Sequence, residues 1–191
     1  PASSNIHSVA DLARTAKANP GKLNFAAPQL NSLPHLAGEM VNKAGTMGLF
    51  TVPFRAPPEA VTAVLSGDAT LTIDGVPGLL QHVKSGRLRA IGVTSARRLP
   101  GIDVPAVAET YPGYEAIGWF QIIVPAGTPQ VVVDRINADV NRITASPEVS
   151  TRLNEMGVYP RQDSVKAAAD FFDEQQKAMK RLVADLGIQA Q

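Results

Sequence analysis

Leu23-Asn24-Phe25-Ala26-Ala27-Pro28-Gln29-Leu30-Asn31-Ser32-Leu33-Pro34-His35-Leu36-Ala37 decides the fold. It reads as a strand at Leu23–Ala27, a polar loop, and the opening of a helix. That helix runs from Pro34 to Ala44, stops at Gly45, and sets Leu36, Met40 and Val41 on one side. The same order follows at once. Leu49 to Phe54 is a second strand, and Pro57 and Pro58 fit the first turn of the next helix, whose early N–H groups lack partners anyway. Val61, Val64 and Leu65 form its apolar face, and Gly67 ends it. Leu71-Thr72-Ile73, then Val76 to Lys84, then Gly86 make a third unit, and Leu88 to Val93 reads as a further strand. Successive βα units favour a mainly parallel sheet with right-handed crossovers. Residues 1–118 are therefore expected to form one α/β lobe with four or five strands.

The pattern changes after Ser95. Pro100, Pro105 and Pro112 interrupt a long connection, with one short helical turn near Val107. Gly118 to Val124 is strand-like. Thr128-Pro129 predicts a helix start, Thr as N-cap and Pro first inside, with Val132, Ile136, Val140 and Ile143 on one face. Ser146-Pro147 repeats that device for a helix ended by Gly157. A last helix from Val165 to Leu186 carries Phe172, Met179, Leu182 and Leu186 along one side. The boundary falls at the strand-like stretch, giving a βα-rich part at 1–118 and a mostly helical part at 119–191.

Composition narrows the function. A net charge of +1 predicts no broad attraction to nucleic acid or anionic membrane. The absence of cysteine excludes disulfides, thiolate metal sites and cysteine nucleophiles. His7, His35 and His82 are not spaced as metal ligands, so no metal and no cofactor is expected. No Gly-x-Ser-x-Gly, His-Glu-x-x-His, phosphate-binding loop or Gly-x-Gly-x-x-Gly is present, and the chain does not read as an enzyme. No signal peptide is visible, and the chain starts at Pro1.

Four stretches carry a family resemblance: Ala18-Asn19-Pro20-Gly21-Lys22-Leu23-Asn24; Pro34-His35-Leu36-Ala37-Gly38-Glu39; Leu71-Thr72-Ile73-Asp74-Gly75-Val76-Pro77 leading into Gly86 to Ser95; and Pro112-Gly113-Tyr114-Glu115 through Trp119-Phe120 to Pro125-Ala126-Gly127-Thr128-Pro129. Together, in this order, they resemble the extracytoplasmic solute receptors of tripartite tricarboxylate transporters, the Bug or TctC family. The resemblance implies a periplasmic-binding-protein type II-like α/β fold, with two lobes around a ligand cleft. Residues 1–118 would be one lobe nearly complete, and 119–191 a crossing strand and the C-terminal helices of the other. It implies a periplasmic receptor that binds a small organic anion, an organic acid or acidic amino acid, and meets membrane transporter subunits. The first lobe's opening units are expected to be missing, so the apolar faces of the last helices call for that N-terminal segment or for self-association. Two departures lie where the family contacts ligand. A loop usually rich in glycine and serine is here Pro28-Gln29-Leu30-Asn31-Ser32-Leu33, and a usual Tyr-Lys-Gly is Phe54-Arg55-Ala56. They keep a second reading open, a diverged lobe acting as a non-transport interaction module.

In a parallel α/β sheet the ligand crevice lies beyond the carboxyl ends of the strands. Gln29, Asn31, Ser32, Arg55 and Asp74 are the leading ligand-binding candidates, with His35, Thr94 and Trp119 behind them. Asn31 and Ser32 suit an N-cap as well as a polar ligand rim. Asp74 suits an Asx turn or helix cap as well as an acceptor for a ligand hydroxyl, amine or water. Arg55 can hold a carboxylate through its planar fork, or pair with a surface acid. His35 fits packing or capping as well as ligand contact, and Trp119 fits core packing as well as stacking. Helix N-termini beside these loops offer free N–H groups and partial positive charge to an anion.

Overall fold

The computed structural model describes residues 1–187. The chain divides into two compact units, Pro1–Gly118 and Trp119–Gln191. In the first, α1 (Val9–Ala18), β1 (Asn24–Pro28), α2 (Leu33–Gly45), β2 (Phe50–Phe54), α3 (Pro57–Ser66), β3 (Leu71–Thr72) and α4 (Val76–Lys84) follow in order. The three strands form a parallel sheet in the order β2-β1-β3. β1 is central and its residues Phe25–Pro28 are buried. Side chains alternate across a strand, so Phe25 and Ala27 join one cluster with Leu12, Ala16, Ala37, Val41 and Tyr114. Ala26 joins the other, with Ala60, Val61, Val64 and Leu88. Helices thus cover the sheet on both faces, as an all-parallel sheet requires.

α1 has its own start signal. Ser8 Oγ accepts the Asp11 N–H at 3.0 Å, and the Asp11 carboxylate accepts the His7 N–H at 3.1 Å. Val9, Leu12, Ala13 and Ala16 then fall on the buried face. Glycines end α3 and α4 as expected: Gly67 and Gly86 take φ of 87° and 70°.

Three expectations need correction. The sheet has three strands, not four or five. Between Leu88 and Val93 only Val93 pairs, through a parallel bridge to Ala106. The N–H groups of Arg87 and Leu88 go instead to the His82 carbonyl, at 2.9 and 3.0 Å, closing the end of α4. Arg89 then ties this segment to the carbonyls of Ala2, Ser4 and Ile6, at 2.8, 2.8 and 3.1 Å, so a side chain replaces a strand ladder. Gly118–Val124 is not a strand either. It has no hydrogen-bonded neighbour strand among the described residues, and Phe120, Ile122 and Ile123 are exposed. A strand exists only through its pairing, so apolar β-branched composition alone does not make one.

The second unit contains α5 (Gln130–Thr144), α6 (Pro147–Glu155) and α7 (Val165–Asp185). The helix start expected at Thr128 lies one residue later. Pro129 is the N-cap, and the Thr128 hydroxyl turns back to the Pro125 carbonyl at 2.8 Å. Ser146 caps α6 by position only, since its hydroxyl donates to Ile143 O at 2.7 Å. Asn137 and Asn141 both donate to the Asp163 carbonyl, at 3.0 and 2.9 Å, fastening the loop before α7 onto α5. No helix of the described residues is long and apolar enough to cross a membrane.

Candidate functional site

Parallel pairing puts the ends of all three strands on one edge. Pro28 lies opposite Phe54, and Thr72 opposite Ala26. The Gln29 N–H donates to the Phe54 carbonyl at 2.9 Å, which brings the β1 loop against the start of the β2 loop. Gln29, Asn31 and Ser32 after β1, Arg55 after β2 and Asp74 after β3 therefore share the carboxyl edge.

The β1 loop is tightly determined. Gln29 and Asn31 both take positive φ, 47° and 63°, a region that favours glycine. Glutamine and asparagine thus occupy backbone positions that favour glycine. Ser32 is the N-cap of α2: its Oγ accepts the His35 N–H at 3.4 Å and donates to the Pro28 carbonyl at 2.6 Å. Asn31 does not cap the helix; its N–H donates to His35 Nδ1 at 3.1 Å. His35 is buried, with Nε2 3.8 Å from Glu39 Oε1.

Arg55 is exposed, and its N–H donates to Glu59 Oε2 at 3.2 Å. Glu59 is a residue of this edge that sequence reasoning missed. Its signal was an acid three residues inside a helix start at Ala56, the place from which a carboxylate reaches back. Asp74 is half-buried, and one of its oxygens would lie 3.0 Å from a Cβ at Gly78. Gly75 rather than Asp74 is the N-cap of α4, and no side chain caps it. The loops and helix starts of this edge thus carry one arginine, Arg55, and two acids, Glu59 and Asp74.

The three helix starts differ as donors. Pro57 and Pro58 remove the first two N–H groups of α3, and the Glu59 N–H is already bonded to Ala56 O at 3.1 Å. In α2 and α4 proline takes only the second position, and the N–H groups of Leu33 and Val76 have no acceptor among the described residues. Free backbone donors for an anion therefore come from α2 and α4.

The two remaining candidates are held by other contacts. Thr94 follows the bridged Val93, and its carbonyl accepts the Ala116 N–H at 2.8 Å. Trp119 belongs to the second unit, packed edge-on against Phe171 and Phe172 with centroids 5.7 and 5.8 Å away. A groove of about 660 Å³ between α3 and α4 is lined by Pro58, Leu65, His82 and Arg87, and among the candidates only by Asp74. No group of His, Asp or Glu among the described residues could hold a metal.

Solved structures share this architecture. Rpa4515 of R. palustris, solved with adipate, superposes with a TM-score of 0.87 at 28% identity, covering 97% of this chain and 62% of that one. The periplasmic binding protein BugD gives 0.80 at 24% identity, covering 100% and 65%. MatC of Rhodopseudomonas palustris, solved with malate, gives 0.71 at 23%, covering 92% and 62%. The fold is thus that of a periplasmic-binding-protein type II-like α/β protein, one lobe nearly complete and part of the other. The chain belongs to the tripartite tricarboxylate transporter family receptors, TctC, whose family profile matches residues 1–188. That is a family of receptors rather than enzymes. Relatives include a UPF0065 protein of Pseudomonas sp. strain P51, 33% identical over 100% of this chain and 57% of its own length. A UPF0065 protein of Bordetella bronchiseptica is 35% identical over 98% and 56%. The Bordetella pertussis protein BugT is 30% identical over 81% and 48%. The chain thus spans about half the length of these relatives.

Proposed function

We propose that this chain is part of a periplasmic solute receptor that binds a small carboxylate for a tripartite tricarboxylate-type transporter. The observation that carries the reading is the convergence of the β1, β2 and β3 loops on one sheet edge, in a chain of this family. The free N–H groups of Leu33 and Val76 and the exposed Arg55 supply donors there. Glu59 and Asp74 add negative charge, which disfavours a crowd of ligand carboxylates and favours a ligand that also presents a hydroxyl, amine or bound water. Support for the ligand class comes from the adipate held by Rpa4515.

The test is titration calorimetry of the full-length protein with malate, adipate, citrate and aspartate. Binding of at least one is expected. Arg55→Ala should weaken it about tenfold, or ~1.4 kcal/mol, without abolishing it. Absence of heat and of any melting shift across the panel would remove the reading.

A second reading, a diverged lobe serving as an interaction module, is favoured by the second unit. Phe120 and Ile123 are 92% and 79% exposed, and none of α5, α6 and α7 has a fully buried residue. Such a surface calls for cover by a further segment of chain or a second copy. Light scattering of the full-length protein distinguishes them, since a monomer excludes the second copy.

A further inference from the structure

His35 is the buried polar residue of the first unit, 8% exposed in the first turn of α2. Both ring nitrogens face inward partners. Nδ1 accepts the Asn31 N–H at 3.1 Å. An imidazole that accepts at Nδ1 and is neutral carries its proton on Nε2. Nε2 faces Glu39 Oε1 at 3.8 Å, one helical turn on, and that same oxygen accepts the Thr51 hydroxyl from β2. Glu39 is thus bonded to the neighbouring strand and lies near the imidazole, beyond hydrogen-bond distance of Nε2.

The same loop holds Gln29 and Asn31 in the left-handed region, which persists only where surrounding structure over-determines it. Three bonds do so. The Ser32 N–H reaches the Gln29 carbonyl at 3.0 Å, the Ser32 hydroxyl reaches Pro28 O at 2.6 Å, and the Asn31 N–H reaches His35. The first two close the loop on itself. The third alone ties its middle to a side chain outside it.

We propose that His35 is a positioning residue: its neutral, Nε2-protonated imidazole holds the Asn31 amide and keeps the loop shaped for ligand, without touching the ligand. The inference rests on the reading of this edge as the carboxylate site. It also states which tautomer the site needs, because a proton on Nδ1 would face the Asn31 N–H donor-to-donor.

Two isosteres separate the ring's two ends. In His35→Asn the amide oxygen can take the place of Nδ1 and keep the acceptor. In His35→Gln the amide reaches toward Glu39 and the acceptor for Asn31 is lost. Both are compared with wild type in the full-length protein by amide hydrogen exchange at Asn31 without ligand, by titration with adipate, and by thermal melting. Nitrogen-15 spectra of the wild-type imidazole give the tautomer.

Wild type should show Nδ1 unprotonated and Nε2 protonated. His35→Asn should keep Asn31 protected and bind adipate close to wild type. His35→Gln should lose about tenfold in both protection and affinity, as expected for one hydrogen bond, while melting near His35→Asn. Equal protection in both variants, or a proton on Nδ1 in wild type, overturns the inference. Should wild type bind no carboxylate, the functional reading fails, and exchange and tautomer still decide the role of His35. Should both variants fail to fold, the wild-type tautomer decides it.

Discussion

At the residue scale, the sequence alone could not show what Gly38 does. It lies inside α2, where glycine costs about 1 kcal/mol relative to alanine. A Cβ there would come to 2.1 Å from Cε1 of Phe25, which is buried in the central strand. Gly38→Ala gains helix propensity but must displace a ring with nowhere to go. It should destabilise the protein by about 1–3 kcal/mol, as overpacking does, read as a lower denaturant midpoint with an unchanged slope. A stabilised variant would contradict this packing. Asn31 and Gln29 teach the same lesson from the backbone. Their side-chain types named them as ligand-binding candidates, while their left-handed φ and the Asn31–His35 bond come from the fold around them. Arg55 was legible as the cation of the edge; Glu59 beside it was not, because its carboxylate becomes relevant only when α3 starts at Pro57.

At the element scale, legibility follows how local each signal is. α2, α3 and α4 were readable from proline starts, glycine stops and apolar spacing, all of which act within a few residues. α1 went unread although Ser8 and Asp11 mark its start. Leu88–Val93 and Gly118–Val124 misled because strand identity depends on a partner elsewhere in the chain. The connection from Ser95 to Gly113 read as a long loop with one helical turn near Val107, and a 3-10 turn spans Val107–Glu109, where the connection is also pinned. Arg98 donates to both oxygens of Glu109 at 2.8 Å, and the Ala106 N–H reaches Oε1 of Glu109 at 2.8 Å. The Arg98 hydrogen bonds first, and then the Ala106 N–H, hold the Glu109 carboxyl down at about 2, against an ordinary 4.5. A lowered folded-state value means stability that is present above about 4.5 and lost as pH falls toward 2. Wild type should therefore melt above Glu109→Gln at neutral pH, and the gap should close across that window. A gap independent of pH would show that the Arg98 and Ala106 contacts do not depend on the carboxylate's charge.

At the scale of the whole molecule, a three-stranded parallel sheet gathers three loops at one edge, and two helix starts there keep a free N–H each. Fold class was legible in the alternation of strand and helix, and the family in four ordered stretches. The candidate edge was legible, since the carboxyl ends of parallel strands follow from topology. Its inner workings were not, since they depend on which helix has lost its donors to proline and which imidazole nitrogen faces the loop. The most direct measurement of the central claim is a proton–nitrogen-15 spectrum of the full-length protein titrated with adipate. The account predicts that, within this chain, the largest shifts fall on the amides of Gln29 to Leu33, Arg55 and Asp74 to Val76. Shifts confined to Leu65, His82 and Arg87 in the groove between α3 and α4, with the strand-end loops silent, would contradict it.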